Sequence, residues 1–424
     1  MSYAVRRYAV ANKRSGRPPP ARLTKGANLI VCRLTIPLLW EDPFLLPTRN
    51  YRCIKTYFCF LNEDDKARFN EYGINDNLFL TNPLFNYPSF IKYLDISKIC
   101  HSIEYWVDTL VDKSDNRLGH LVYRLLFEVF IENEGNLHSF EVVHPSILQE
   151  VFDQLNVLES IHILYCDSLN SDFVQQIIRI IKPFKLRSLF TKEIILNDHI
   201  ESLLLLLQKF SDCLENFGFE NGDIGVEYNE QKQKLFEFIM KYCKNIRYFY
   251  SCLPYYDNNS IYLFIEKNQH NINHLTIEGD FIENHILYAE SSTLLRNLGQ
   301  VLPSRLEYLC LTLSFIASDL EIFLKNSQNT FIKKLLINNV FLHTSSPRSV
   351  DTKILFFIKK YIMKKERVKY LAILESDSNG GIQPVELFFL KDEVNEYKLH
   401  NIIVQQYNDL YIDAHSYINY HLQY

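Results

Sequence analysis

A short apolar pattern recurs along this chain and limits its possible folds more than any other feature. The pattern is an apolar residue, two variable residues, a second apolar residue, one variable residue and a third apolar residue. Copies start 21 to 36 residues apart and about 29 apart on average. Self-similarity at such a period is typical of repeat architectures, so the chain is predicted to build one structural unit many times. The copies begin at Leu137, Leu158, Leu186, Leu214, Ile246, Ile272, Leu306, Ile332 and Val368.

Each copy predicts a short β-strand. Its second and third apolar positions lie two residues apart, so their side chains point to the same face of an extended chain. The first apolar residue lies three positions earlier, where the chain turns into the strand. The second apolar positions, which mark the predicted strands, are Phe140, Ile161, Leu189, Phe217, Phe249, Leu275, Leu309, Leu335 and Leu371.

The segments between the copies have helical spacing. Ser171 and Asp172 can cap a helix that carries Phe173, Val174, Ile177, Ile178 and Ile181 on one side. A second apolar stripe covers residues 235–243, and Asp351 can start a third helix over 354–362. A single strand and helix cannot cover their own apolar faces, so neighbouring units are expected to stack.

The predicted fold class is therefore α/β, a leucine-rich-repeat-like solenoid with a C-terminal cap over residues 136–424. In this horseshoe the parallel strands lie inside and the helices outside. The alternative is an irregular α/β domain of unrelated strands and helices. The repeats are degenerate, because Cys166 is the one residue that fills the Asn or Cys position expected eight residues into each copy.

The segment NLIVCRLTIPLLWEDPF, residues 28–44, resembles the C-terminal part of an F-box. The segment YRCIKTYFCFLNEDDKARFNEYGI that follows, and FFLKDEVNEYKLHNIIVQQYNDLYIDAHSYI near the C-terminus, resemble fungal F-box/leucine-rich-repeat proteins. The resemblance implies a substrate-recognition subunit of a cullin–RING (SCF-type) ubiquitin ligase, which binds a Skp-type adaptor and an unknown protein substrate. The residues that would bind the adaptor are Leu29, Val31, Cys32, Arg33, Ile36, Pro37, Leu38 and Trp40.

The F-box pattern is incomplete in two places. The usual opening helix is replaced by a basic, proline-rich stretch, and the usual C-R-x-W lacks its tryptophan after Arg33. Two interpretations stay open: residues 28–44 bind an adaptor, or they form a helix that seals the N-terminal end of the repeats. In the second case the chain is a repeat scaffold with no role in ubiquitin transfer.

The remaining sequence predicts the domain order and the compartment. Residues 1–26 hold seven basic and no acidic residues and are expected to be a disordered tail, followed by the truncated F-box-like segment 27–50. Residues 51–135 are expected to be a helical linker and cap, with Trp106 in its core. Nine cysteines without a C-x-x-C pair and the absence of a long apolar run predict a cytoplasmic or nuclear protein without a membrane span.

Chemical motifs do not occur in the sequence. It contains no phosphate loop, no zinc or calcium spacing and no nucleophile elbow. The prediction is a protein without enzymatic activity, cofactor or metal, and a net charge of −5 does not favour a nucleic-acid partner. An enzyme of unfamiliar type is the remaining alternative, and it would need a deep pocket lined by titratable groups.

The expected binding surface is the concave sheet face, formed by strand residues that alternate with the apolar ones. Tyrosines at four of these positions offer the aromatic area that protein partners favour. The alternative is that these tyrosines only fill gaps between strands. The predicted partner-binding residues are Tyr248, Tyr250, His274, Glu278, Tyr308, Lys334 and Tyr370.

Overall fold

The structure, a computed structural model, describes most of the chain. The predicted tail 1–26 and the adaptor candidates Leu29, Val31, Cys32 and Arg33 lie outside the described residues. The described residues are 35–44, 52–74, 83–91, 93–94, 96–110, 116–132, 139–142, 160–164, 171–179, 185–220, 230–252, 258–279, 286–341, 350–363, 367–377, 383–414 and 416–418.

The chain divides into two compact units. Among the described residues, the first unit contains everything up to Ser160 and the second everything from Ile161 onward. The domain boundary that the sequence places at residue 136 stays a prediction. The strand of the first apolar copy, Ser139–Val142, belongs to the first unit.

The first unit is mainly helical and is packed around aromatic rings. Trp106 is 1% exposed, and its ring lies edge-on to Phe58 at 5.2 Å between centroids. Tyr57 packs edge-on against Phe130 at 4.9 Å. Besides residues 35–40, which are helical, its elements are α1 (Arg52–Tyr57), α2 (Glu63–Arg68), α3 (Ile96–Asp108), α4 (Asn116–Glu132), β1 (Tyr93–Leu94) and β2 (Ser139–Val142).

The second unit alternates strands and helices along the chain. Its described strands are β3 (Ser160–Leu164), β4 (Lys185–Lys192), β5 (Asn216–Glu220), β6 (Tyr248–Cys252), β7 (His274–Glu278), β8 (Arg305–Leu313), β9 (Phe331–Phe341), β10 (Val368–Asp377), β11 (Val385–Glu386) and β12 (Ile403–Val404). Its described helices are α5 (Ser171–Arg179), α6 (Glu193–Phe210), α7 (Glu230–Tyr242), α8 (Asn258–Asn268), α9 (Ile286–Val301), α10 (Ala317–Asn326), α11 (Thr352–Tyr361), α12 (Lys391–Leu399) and α13 (Tyr407–Leu410).

The strands of this unit form one mostly parallel sheet in sequence order. Strands β4 to β10 pair in parallel with their neighbours, whereas β11 is antiparallel and β12 parallel to β10. The prediction of a mixed α/β fold with parallel strands is confirmed. The apolar positions of the copies lie in register, in the row Leu189, Phe217, Phe249, Leu275, Leu309, Leu335 and Leu371.

Helices connect most of the parallel strands and pack on one sheet face. Phe236 of α7 lies edge-on to both Phe217 and Phe249, and Phe264 of α8 lies 4.2 Å from Phe249. Asp351 caps α11, as its position in the sequence predicts, because its side chain accepts a 2.8 Å hydrogen bond from the Lys353 amide. None of the helices in the described part of the chain is long and apolar enough to cross a membrane.

Candidate functional site

The two faces of the second unit's sheet differ in chemistry. One face, here called the helix face, carries the apolar row from Leu189 to Leu371 and packs on the helices. The other face, here called the tyrosine face, carries Tyr248, Tyr250 and Tyr308. Because side chains alternate along a strand, every second residue of the same strands lines this face.

Two register rows make up most of the tyrosine face. The first row reads Ser188, Asn216, Tyr248, His274, Tyr308, Lys334 and Tyr370. The second row reads Phe190, Gly218, Tyr250, Thr276, Cys310, Leu336 and Ala372. Hydroxyl, thiol, amide and imidazole groups therefore alternate here with aromatic and aliphatic ones, unlike the helix-face row.

Gly218 lets two large rings of the second row approach each other. A Cβ at this position would lie 2.7 Å from the Phe190 ring and 2.8 Å from the backbone oxygen of Tyr250. These distances are shorter than any ordinary contact, so no larger residue fits without movement. The glycine is thus a packing requirement of this face.

The chain's own C-terminal segment covers the tyrosine face. This segment, here called the strap, comprises residues 405–418, of which all but residue 415 are described. It starts beside β10, where the Gln405 amide donates a 3.0 Å hydrogen bond to the Leu371 carbonyl. It then runs back over β8 and β7 to β6, and Ile418 lies in one cluster with Leu164 of β3.

Tyrosine hydroxyls make most of the polar contacts between strap and sheet. Tyr407 Oη lies 3.0 Å from Thr312 Oγ1 and 3.2 Å from Cys310 Sγ. Tyr411 Oη donates to Glu278 Oε1 at 3.1 Å, while Tyr250 Oη of the sheet donates to Glu278 Oε2 at 2.9 Å. The Glu278 carboxylate thus accepts one hydrogen bond from the strap and one from the sheet.

A second contact joins the strap backbone to the sheet. The Ile412 amide donates to Tyr308 Oη at 3.0 Å, so a sheet side chain satisfies a strap backbone group. The Tyr417 ring lies 4.5 Å from Tyr248 and 4.7 Å from His274, measured between ring centroids. The strap is therefore held by side chains more than by a strand ladder.

Burial under the strap changes the acid–base properties of the face. Desolvation raises the pKa of the Cys310 thiol to about 12, with a further contribution from Glu278. Burial likewise raises the pKa of Tyr411 well above its ordinary value, helped by the Glu278 charge. Both groups stay protonated at neutral pH and act as hydrogen-bonding groups, not as nucleophiles or bases.

A buried polar chain lies at the β3 end of the same unit. Asn216 Nδ2 donates to Ser188 Oγ at 2.8 Å, and Ser188 Oγ lies 2.7 Å from His162 Nδ1. Desolvation, with a smaller contribution from the charge of nearby Arg187, lowers the pKa of His162 from 6.5 to about 3. The imidazole is therefore neutral at physiological pH, and its Nδ1 can accept a hydrogen bond from the Ser188 hydroxyl.

The predicted partner-binding residues lie together on the tyrosine face, but their exposure differs from expectation. The expectation that the central tyrosines are exposed is wrong, because Tyr248 and Tyr308 are each 1% exposed beneath the strap. Tyr250 is also buried, whereas His274, Glu278, Lys334 and Tyr370 are half-buried. Contact of these residues with a protein partner stays a prediction.

Sequence reasoning missed the residues that fill this face. Tyr407, Tyr411, Ile412 and Tyr417 lie in the stretch assigned to the C-terminal end of the repeats, where no pattern indicates which sheet face they reach. One signal was available, the recurrence of tyrosines at 407, 411 and 417. That recurrence does not identify the strands that these tyrosines contact.

The described adaptor candidates belong to the first unit. Ile36, Pro37 and Leu38 are half-buried in the helical residues 35–40. The Trp40 ring packs into the aromatic core of this unit, 4.2 Å from Tyr87 and 5.3 Å from Tyr57. The segment thus combines an anchored tryptophan with partly accessible aliphatic side chains.

A polar pocket of about 350 Å³ lies where β7 and β8 begin. Its lining includes His270, Arg305 and Glu307, and the Glu307 carboxylate contacts Lys333 at 2.7 Å and Arg305 at 3.4 Å. These ion pairs lower the pKa of Glu307 and keep it ionised. Within the described residues, no cluster of His, Cys, Asp and Glu has the composition of a metal site.

Comparison with known proteins adds no assignment, because the chain matches no family model and no curated protein. The resemblance to F-box/leucine-rich-repeat proteins therefore depends on the residues quoted from the sequence. It stays a prediction.

Proposed function

We propose that the chain is a non-catalytic protein-interaction protein that acts as the substrate-recognition subunit of an SCF-type ubiquitin ligase. In this proposal the second unit is a leucine-rich-repeat-like solenoid that binds a protein substrate. Residues 29–40 attach the chain to a Skp-type adaptor and, through it, to a cullin. The compartment is the cytoplasm or nucleus, without a nucleic-acid or membrane partner.

The proposed binding of a protein substrate is supported by the strap. A polypeptide segment lies across the tyrosine face and is bound by aromatic rings, hydroxyl groups and a carboxylate. Protein interfaces use tyrosines in the same way, because a rigid ring buries much apolar area while its hydroxyl hydrogen-bonds. The face therefore has the chemistry needed to hold a protein segment.

The proposed binding of an adaptor is supported by the sequence resemblance and by the accessibility of the described residues of the F-box-like segment. Ile36 and Leu38 are half-buried and Leu39 is 41% exposed, so apolar area remains for an adaptor. Trp40, which packs against Tyr57 and Tyr87, would fix the direction of this helical segment.

Binding of the purified full chain to a Skp-type adaptor tests the ligase role. We expect a stable complex in size-exclusion chromatography, and we expect Leu38→Asp to abolish it because a charge would enter an apolar interface. Leu84→Asp is the matched control, since Leu84 is an 87% exposed leucine of the same unit. This control is expected to bind like the unmodified chain.

No complex with a chain whose circular dichroism shows a folded protein would contradict the ligase role. A complex that both Asp variants retain equally would contradict attachment through residues 29–40.

A repeat scaffold without ubiquitin function is the second candidate. It is favoured by the burial of Phe44, which is 2% exposed and packs against Tyr57. Together with Trp40, this residue makes the F-box-like segment part of the first unit's own core. Such a segment needs no adaptor to be stable, as expected of a sealing helix.

A further inference from the structure

We propose that the strap is an exchangeable internal ligand of the tyrosine face, and that the face accepts in its place a partner peptide with similarly spaced tyrosines. The partner's class is a short segment that, like the strap, has a helical turn at its first aromatic residue and carries aromatic residues at the spacing of Tyr407, Tyr411 and Tyr417. This inference rests on the proposed binding of a protein substrate by the second unit. It adds the chemistry of the bound segment and a competition between strap and partner for the tyrosine face.

The strand–helix part of the unit has a core of its own that does not involve the strap. The helix-face residues Phe217, Phe249, Leu275 and Leu309 are each 0% exposed. Phe217 and Phe249 are covered by helix side chains such as Phe236. Release of the strap would leave this core intact and would uncover the opposite face.

The strap is bonded differently from the strands. Neighbouring strands exchange a continuous ladder, as between β8 and β9, where eight residue pairs lie in register. The strap instead joins the central strands through side-chain contacts of the Tyr407 and Tyr411 hydroxyls and through the Ile412 amide. Bonds of this kind can be remade by another peptide, because they need two hydroxyl groups and one backbone N–H at the right spacing.

The uncovered face would also tolerate water better than the helix face. Glu278, Thr276, Thr312 and the tyrosine hydroxyls supply polar groups that water can solvate when the strap leaves. The same groups set the partner's chemistry. The Glu278 carboxylate requires a hydroxyl or amide donor and would repel an acidic group at the position of the Tyr411 hydroxyl.

Two cysteines of the native chain allow a direct test by thiol alkylation with site-resolved mass spectrometry. Cys310 is 0% exposed and lies against Tyr407 of the strap, whereas Cys243 is 1% exposed and follows helix α7. Burial raises the pKa of each thiol, so both are protonated and unreactive while they are covered. They differ in the element whose movement must uncover them.

We expect iodoacetamide to label Cys310 at least about tenfold faster than Cys243 in the native full chain, because local opening needs less free energy than global unfolding. In denaturant the two rates should become similar, which serves as the control. Equal labelling of both cysteines in the native chain would mean that the strap leaves only on global unfolding. That result would overturn the proposal.

A second experiment tests the partner chemistry with the full-length variant Tyr407→Ala/Tyr411→Ala. We expect faster Cys310 labelling in this variant, and we expect the synthetic peptide QQYNDLYIDAHSYI, residues 405–418, to slow it again. A peptide with all three tyrosines replaced by alanine should have no effect. If the native-sequence peptide also fails to protect Cys310, the face does not exchange peptides and the inference is wrong.

The variant's own folding is part of the test. If Cys243 of the double variant labels as fast as in denaturant, the strap is an obligatory part of the fold and the proposal fails. The adaptor experiment is independent of these outcomes. Adaptor binding without strap exchange would leave the ligase role standing, whereas strap exchange without adaptor binding would leave a peptide-binding scaffold.

Discussion

The helix face and the tyrosine face belong to the same strands but differ in composition and in what covers them. On the helix face, Leu275, Leu309 and Leu335 repeat one apolar row beneath helices that follow their strands directly in the chain. On the tyrosine face, His274, Tyr308 and Lys334 vary from strand to strand, and much of their cover comes from the C-terminal strap.

The helix face is covered by helices that are close to their strands in sequence, whereas the tyrosine face is covered by a segment that is far away in sequence. Each helix is joined to its strand by a short connection, so the helix face can be covered unit by unit. The strap contacts residues such as Tyr308 and Tyr248 across 104 and 164 positions of sequence. Its docking therefore depends on the finished sheet, and we expect it to be the less stable of the two layers.

The largest expected effect comes from a pair of adjacent leucines that point to opposite faces. Leu335 and Leu336 of β9 are both 0% exposed, but only Leu336 lies in the cluster that contains Tyr407 and Leu410. We expect Leu335→Ala to lower the free energy of unfolding by about 2–5 kcal/mol, because it leaves a cavity in the helix-covered core. Leu336→Ala should cost less than about 2 kcal/mol, because the strap, if it exchanges as proposed, can settle into the space.

Urea denaturation of both variants, followed by circular dichroism, gives the two values. Cys310 labelling should rise in Leu336→Ala. In Leu335→Ala the ratio of the Cys310 rate to the Cys243 rate should fall, because Cys243 is uncovered by global unfolding, which this variant favours. Equal losses of stability in the two variants would contradict the expected difference between the faces, since the strap would then be as rigid as the helix layer.

A pH effect of intermediate size is expected from His162. Its pKa is lowered from 6.5 in the unfolded chain to about 3 in the folded protein, so the unfolded chain binds the proton more tightly. The contribution of neutral His162 to stability is complete above pH 6.5 and is lost as the pH falls from 6.5 towards 3. Between pH 6.5 and pH 5 the loss should be about 2 kcal/mol.

Unfolding free energies of the unmodified chain and of His162→Gln at both pH values check this effect. The variant should lose less stability than the unmodified chain, since glutamine does not titrate. A pH dependence as steep in the variant would show that other groups cause it. The tyrosine face would then contain no titrating element at its β3 end.

The smallest expected effect comes from a single hydroxyl group. Tyr411→Phe removes the 3.1 Å bond to Glu278, and we expect strap docking to weaken by about 1 kcal/mol. Cys310 labelling should accelerate roughly fivefold, and the free energy of unfolding should fall by no more than the same amount, about 1 kcal/mol. Tyr250→Phe is the matched control, because it removes the other hydroxyl on Glu278 without changing the strap.

The result for Tyr411→Phe shows how much one hydroxyl group contributes to the cover of the tyrosine face. A labelling rate that stays at the unmodified value would mean that the hydroxyl contributes nothing to strap docking. In that case the strap would be held by the apolar packing of Tyr407, Leu410 and Tyr417 together with the Tyr407 hydroxyl and Ile412 amide contacts.

Much of the second unit could be predicted because its signals are local. Phe217, Phe249 and Leu309 lie on strands as their spacing predicts, since alternation of side chains along a strand follows from backbone geometry. The Asp351 cap follows from a side chain that reaches an amide two residues away. The parallel order of the strands follows from their alternation with helices.

The exposure of the candidate site could not be predicted in the same way. The row of Tyr248, His274 and Tyr308 was found by alternation, but its burial depends on Tyr411, Ile412 and Tyr417, which are far away in sequence. Periodicity states which side of a strand a residue faces. It does not state what lies opposite that side.

The sequence by itself determined the strands, the helices and the division of each strand into an apolar and a mixed side, because these depend on contacts over a few residues. Only the tertiary structure decided that residues 405–418 return across the mixed side and bury Tyr248 and Tyr308. The physical reason is that the partners of Tyr411 and Ile412, Glu278 and Tyr308, come together only when the parallel sheet has formed.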